Sequence, residues 1–319
     1  DPDRRQNKED AMTTSLNAQN EKLVIAVSSR ALFDLEEEHR LFEREGFAAY
    51  RTYQVEHQDV PLKPGVAFPF ISRLLKLNEI FKDQAPVRVV VLSRNSPETG
   101  QRFFNSCRHY SLPIEAGAFT SGQSTFPFMK AFNASLFLSA NIDSVRQATS
   151  IGLPAGLVLP TSFQDEEGDT GLRIAFDFDG VVAGDEAEKK FQSEGMKAFQ
   201  QEEIDKKMQP LQAGPLQSLF SKLSQLQKLD AERGKDDPYY EPAIRIAVVT
   251  SRGAPSEQRL ITTLKSFGMY AAELFLLDGM PKKPILNVLK PHIFFDDQLK
   301  HLQENTIPSV LIPFGINSK

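Results

Sequence analysis

The segment LRIAFDFDGVV, residues 172–182, constrains the fold of this chain more than any other. Its apolar start has the pattern of a buried strand, which ends in Asp177, Phe178, Asp179 and Gly180. Side chains two apart on an extended chain point the same way, so Asp177 and Asp179 leave the strand end together. Gly180 lets the backbone turn sharply after them. In an open α/β sheet this C-terminal edge is where ligands bind. Two adjacent carboxylates repel, and a metal ion is a common way of keeping both ionised.

Strand-like runs recur at 23–28, 87–92, 135–138, 156–159, 172–176, 244–250, 293–295 and 310–312. Segments of helical spacing, such as 73–81 and 260–268, lie between them. The alternation predicts an α/β fold: a Rossmann-like parallel sheet with helices on both faces. The acidic stretch QDEEGDT at 164–170 is the expected linker between two halves. Residues 1–20 are expected to be a polar tail, 21–165 a non-catalytic α/β half, and 170–319 a catalytic core with a helical cap insert at about 182–242.

The two halves read as copies. VVVLSRNSP (89–97) parallels AVVTSRGAP (247–255), and after one inserted residue Gln101-Arg102 parallels Gln258-Arg259. SLFLSA (135–140) parallels HIFFDD (292–297), and LVIAVS (23–28) parallels LRIAFD (172–177). In this alignment Asp177 falls on Ser28, Asp179 on Arg30 and Thr250 on Leu92. Asp296 and Asp297 fall on Ser139 and Ala140. The acids are confined to the second copy, which makes the first a degenerate, non-catalytic version.

Four elements of the second half suit one chemistry. Asp177 and Asp179 end one strand, Thr250 and Ser251 end another, Lys282 and Lys283 follow a turn, and Asp296 and Asp297 end a third strand. On adjacent parallel strands these groups converge at one edge. A carboxylate can attack a phosphomonoester, splitting one difficult displacement into two easier ones. Asp177 is the expected nucleophile, and Asp179 the expected acid/base. Thr250, Ser251, Lys282 and Lys283 are the candidate phosphate ligands. Mg²⁺ would be held among Asp177, Asp179, Asp296 and Asp297.

This order of motifs resembles the haloacid dehalogenase-like (HAD-like) superfamily. Within it, VTSRGA (249–254), DGMPK (278–282) and PHIFFDDQ (291–298) resemble the cytosolic 5′-nucleotidase I family, as do AGPL (213–216) and AVSSRALFD (26–34). The resemblance covers residues 22–315. It implies a Mg²⁺-dependent 5′-nucleotidase that cleaves nucleoside 5′-monophosphates through an aspartyl-phosphate on Asp177. It also implies a proton-transfer role for Asp179, phosphate binding by Thr250 and Lys282, and metal binding by Asp296 and Asp297. The first motif departs toward the general superfamily form, and Lys283 beside Lys282 leaves either lysine as the phosphate ligand. Two alternatives stand beside this reading: a phosphatase for another small phosphomonoester, and a nucleotide-binding regulator with vestigial hydrolysis.

Composition narrows the setting. A formal net charge of −5 gives no basic footprint for a nucleic acid polymer or an anionic membrane. The single cysteine, Cys107, and the absence of an apolar stretch in the polar start of the chain point to a cytoplasmic protein. A nucleoside monophosphate is the expected partner, and a homo-oligomer is compatible with these features. His39, His57, His109, His292 and His301 lack metal-ligand spacing and are expected in surface or core roles. Residues 230–237 look like a solvated loop. Phe191, Phe199, Met208 and Phe220 have the helical spacing of core residues more than of ligand contacts. Arg30, Arg94 and Arg252 lie at strand ends, open either to substrate phosphate or to pairing with nearby acids.

Overall fold

The runs richest in valine, isoleucine and leucine become strands buried along nearly their whole length, because they are covered on both faces. The computed structural model describes residues 22–315 apart from 83, 167, 304 and 305, so the expected tail 1–20 lies outside the described residues. Twelve strands form: β1 (Leu23–Val27), β2 (Phe33–Asp34), β3 (Lys63–Pro64), β4 (Val87–Ser93), β5 (Ala116–Phe119), β6 (Leu136–Ser139), β7 (Ala155–Val158), β8 (Leu172–Phe176), β9 (Ile244–Thr250), β10 (Glu273–Leu276), β11 (Ile293–Asp296) and β12 (Ser309–Leu311). Ten of them make one sheet, and β2 pairs with β3 apart from it. Eleven helices accompany them among the described residues.

The order across the sheet is β10-β9-β8-β11-β12-β7-β6-β1-β4-β5. Each half contributes five strands with its first strand in the middle, and the two orders are the same when read from the outer edge. Every adjacent pair is parallel except β7 and β12, which meet antiparallel with Val310 opposite Val158. The strands of one half therefore run opposite to those of the other, and their C-terminal edges lie on opposite sides of the sheet. Joining β7 to β12 also removes two exposed strand edges.

Alternate residues of each strand feed different cores. Leu23, Ile25 and Val27 join a cluster that continues through Leu172, Ile174 and Phe176, whereas Val24 and Ala26 belong to a separate one. One face is thus a single core spanning both halves. The helix Phe68–Ile80 packs on β4 and also touches β8, while Gln217–Gly234 packs on β9 and touches β1. Phe70 of the first helix meets Phe295 of β11 edge-on at 6.4 Å.

Strand pairing corrects the alignment of the halves. Val27 is opposite Val91, and Phe176 is opposite Val248, so Thr250 corresponds to Ser93 and not to Leu92. The loops agree: Asn95 N donates to Ser93 Oγ, and Arg252 N donates to Thr250 Oγ1, both at 3.2 Å. The shared Ser-Arg pair misled by one position, since the true match needs no insertion before Gln101 and Gln258.

The correspondence extends to buried polar contacts. Arg102 donates to Val60 O at 2.9 Å and Gln54 Oε1 at 3.1 Å; Arg259 donates to Gln209 O at 3.0 Å and Glu203 Oε1 at 2.8 Å. Ser106 Oγ accepts from Leu62 N, and Thr263 Oγ1 accepts from Leu211 N. The helices Glu36–Glu56 and Glu186–Asp205 both kink at a glycine, Gly46 and Gly195.

Two sequence expectations meet specific outcomes. Residues 164–170 fall between β7 and β8, where Arg73 grips Asp165 through two hydrogen bonds of 2.9 and 2.7 Å. The segment 230–237 is not a solvated loop throughout, because the helix runs to Gly234 and Asp230 is fully buried. Asp230 accepts from Tyr240 Oη at 2.6 Å and Ala243 N at 2.7 Å, tying the helix to the start of β9.

Candidate active site

Asp177 follows β8 directly because Phe176 is the last residue to pair with β11. Its backbone N–H still donates to Phe295 O at 2.8 Å, which locks the strand end beside the end of β11. There Asp296 and Asp297 are both buried. The chain then turns at Gly180, where φ is +76° and a Cβ would overlap the Asp297 carboxylate. Only glycine satisfies both conditions. The acids at 177–179 and 296–297 are therefore neighbours in space.

Lys282 sits among them. Its Nζ is 2.8 Å from Asp177 Oδ1 and 2.7 Å from Asp296 Oδ2. Lys283, one residue on, is exposed. Thr250 is buried at the end of β9, and Ser251 is exposed on the cleft wall. The structure thus brings together Asp177, Lys282, Asp296 and Asp297, with Thr250 and Ser251 on the adjacent strand end.

Asp179 has a different surrounding. Arg252 donates to it twice, Nε to Oδ2 at 2.7 Å and Nη2 to Oδ1 at 2.8 Å. The same guanidinium binds Glu203 of the helix Glu186–Asp205 and lies over the rings of Phe178 and Phe199 at 5.3 and 5.5 Å. Of the two roles open to Arg252, pairing with acids is the one it fills here. Glu203 was invisible in the sequence as a functional candidate, although its match to buried Gln54 would have marked the position.

His301 was assigned to a surface or core role, but its Nδ1 lies 3.0 Å from Asp296 Oδ2. Asp177, Asp296 and His301 each offer a ligand atom, all within 4.8 Å of one another, in a group that could hold a metal ion. The only sequence signal was the short distance from the Asp-Asp pair to a histidine in the next helix.

Burial dominates the electrostatics. It pushes Asp177 well above the usual carboxylate range; Lys282 opposes this, while Asp296 and Asp297 add to it. Burial would depress Lys282, yet Asp177 and Asp296 outweigh it and hold the ammonium above its ordinary value. Asp296 is held low by Lys282 and His301 against its own burial. Asp177 and Asp296 share one ammonium, and Asp297 is buried beside them, a concentration of carboxylates that a divalent cation would suit.

The cleft in front of this cluster has a volume of about 280 Å³. Phe191, Met196 and Phe199 of the helix Glu186–Asp205 line one side. Phe220 is instead a core residue that meets Phe176 edge-on at 5.0 Å, and Met208 is largely exposed. No helix among the described residues is long and apolar enough to cross a membrane.

Comparison with known proteins follows the same lines. A protein-family model described as 5′-nucleotidase matches residues 15–319. Human cytosolic 5′-nucleotidase 1B is 33% identical over 303 residues, which cover 93% of this chain and 49% of that protein. The chain therefore spans about half the length of this relative. No solved structure matches it.

Proposed function

We propose that this chain, which belongs to the 5′-nucleotidase family, hydrolyses nucleoside 5′-monophosphates to a nucleoside and phosphate. The observation that carries this reading is the convergence of Asp177, Lys282 and Asp296 at 2.7–2.8 Å beside the end of β9. In this reading the second half is a HAD-like core, the first half its degenerate copy, and the helix Glu186–Asp205 the cap over the cleft. The human relative is named as cytosolic, and a cytoplasmic setting is part of the proposal.

Asp177 Oδ1 accepts from Phe178 N at 2.8 Å and faces Lys282, which leaves Oδ2 as the attacking atom. Its attack on phosphorus breaks the bond to O5′ and forms an aspartyl-phosphate. Asp179 gives the departing O5′ a proton, then takes one from the water that cleaves the acyl-phosphate. Since Arg252 engages both Asp179 oxygens, it must release at least one before Asp179 can carry that proton. In this reading Lys282, Thr250 and Ser251 bind the phosphate oxygens, with the buried Lys282 rather than Lys283 the phosphate lysine. Phe191 and Phe199 would meet the part of the substrate remote from phosphate.

The donor set suits a hard divalent cation, Mg²⁺, held by Asp177, Asp296 and Asp297. When bound it would supply positive charge to the phosphate oxygens and offset the repulsion among the carboxylates.

The decisive experiment is phosphate release from a panel of nucleoside 5′-monophosphates by the wild type and the Asp177→Asn variant in Mg²⁺. Turnover is expected for the wild type and none for the variant, whose circular dichroism should be unchanged. Undiminished turnover by the variant would remove the proposal.

A further inference from the structure

A cavity of about 730 Å³, larger than the candidate active-site cleft, lies in the half that lacks the strand-end carboxylates. It opens at the C-terminal edges of β1, β4 and β6, the place equivalent to the candidate active site but on the opposite side of the sheet. Its volume lies in the range of small-molecule pockets, roughly 300–1,000 Å³.

The corrected register shows what replaced each group. Ser28 stands where the other half has Asp177, Ser93 where it has Thr250, and Ser139 where it has Asp296. Thr125 occupies the place of Lys282, three residues beyond the glycines whose N–H groups bond to Arg94 O and Ser251 O. Asp177, Asp296 and the amine between them are all replaced by hydroxyls, and Ala140 stands in the place of Asp297. Ser29, Ser93, Thr125 and Ser139 are each buried, and Ser29 Oγ lies 3.0 Å from Ser93 Oγ.

Charge at this pocket has changed sign. Arg30 stands in the place of Asp179, and Arg94 and Arg51 also line the cavity. The acids nearby are already engaged: Glu36 with Arg30 at 2.8 Å and Glu98 with Arg51 at 2.9 Å. Arg30 Nε is buried and has no hydrogen-bond partner. Arg94 donates twice to Gly122 O, which fixes its guanidinium beside the pocket. With no carboxylate cluster to repel it, an anion here needs no metal ion.

The other wall is aromatic. Phe42, Phe47 and Tyr50 of the kinked helix Glu36–Glu56 line it, and Phe42 and Phe47 remain almost half exposed. Phe42 and Tyr50 meet edge-on at 6.1 Å, as Phe191 and Phe199 do at 6.4 Å in the other half. Buried hydroxyls and guanidinium groups at one end and exposed rings at the other suit a ligand with an anionic head and a flat apolar body.

We propose that the first half carries a second, metal-independent binding site for an aromatic phosphomonoester, such as a nucleoside monophosphate, which it binds without hydrolysing. Ser28 stands where the other half has its carboxylate nucleophile, and no group transfer is part of the proposal. It stands independently of the catalytic reading of the second half.

The test is calorimetric titration of the full chain with adenosine 5′-monophosphate in the presence of EDTA. Wild type is expected to bind, and Ser251→Asp, which sets a negative charge on the exposed wall of the other cleft, should bind within about twofold of it. Arg30→Gln and Arg94→Gln should each weaken binding by about tenfold. Arg94 is exposed, so that variant should keep the wild-type melting temperature, and a melt verifies it. Ser139→Asp, which restores an acid, should abolish binding. Adenosine alone and inorganic phosphate alone should each bind about tenfold or more weakly than the ester. No binding in EDTA, binding lost in Ser251→Asp, or binding unchanged in both arginine variants would each overturn the proposal.

Discussion

Arg252 holds both carboxylate oxygens of Asp179, at 2.7 and 2.8 Å, and binds Glu203 with its remaining nitrogen. One buried guanidinium thereby links the turn after β8 to the helix Glu186–Asp205, which lines the cleft. Replacing Arg252 with Met should leave Asp179 unpaired and Glu203 dependent on Arg259 alone. A stability loss of about 3 kcal/mol is expected for breaking a buried pair. Turnover should fall about 100-fold, the usual scale for a disturbed acid/base group. Urea unfolding and steady-state kinetics on the same preparation measure both. Arg252→Lys should rescue little, because an ammonium cannot reproduce the two-pronged contact.

Lys282 bonds to two acids of the buried cluster, Asp177 and Asp296. Lys282→Met should therefore destabilise the protein by about 3–5 kcal/mol. It should also make stability depend more steeply on divalent cations, since the carboxylates lose their internal counter-charge. Melting temperatures with and without Mg²⁺ check this. A variant whose response to Mg²⁺ equals that of the wild type would contradict the cluster as a cation site.

His292 provides a pH-dependent contribution remote from the cleft. Its Nδ1 accepts from Arg173 N at 3.1 Å, so the ring is neutral with its proton on Nε2, facing Asp169 at 3.2 Å. Burial lowers its pKa from 6.5 to about 4, aided by Arg73 and Arg173. The unfolded chain thus takes up a proton first as pH falls. The contribution is complete above pH 6.5 and declines through the interval down to about 4. Its full size is about 3 kcal/mol. His292→Gln, which can keep both contacts, should flatten that part of the profile. Urea midpoints at the two ends of the interval compare variant with wild type.

Gly180→Ala tests the close approach of the two acid-bearing loops. The positive φ costs about 1–3 kcal/mol for a residue with a side chain. Displacement of Asp297 adds to that, so both activity and Mg²⁺-dependent stabilisation should decline. A variant with wild-type turnover would mean that Asp297 has no part in the site.

Much of the sheet was legible in the chain. The strands expected at 172–176 and 244–250 form with those bounds, because continuous β-branched and apolar runs have no stable alternative to burial on both faces. AGAF at β5 and ELFL at β10 gave no comparable signal. They are outer strands, only partly buried, so pairing with β4 and β9 defines them more than their own composition does.

Local patterns also told which residue types would stand at the strand ends and the turn beside them: the carboxylates at 177, 179, 296 and 297, the hydroxyl at 250 and the lysine at 282. That information is one-dimensional. It did not show that Asp179 turns to Arg252, that His301 joins Asp296, or that Ser93 rather than Leu92 stands opposite Thr250 in the repeat. Each depends on groups brought together from distant segments by strand register and helix packing, and a one-residue change of register exchanges the faces of a strand. The chain by itself determined the elements and the chemistry available to them. Partner choice among charged groups was decided only when burial removed the water that would otherwise have satisfied each one separately.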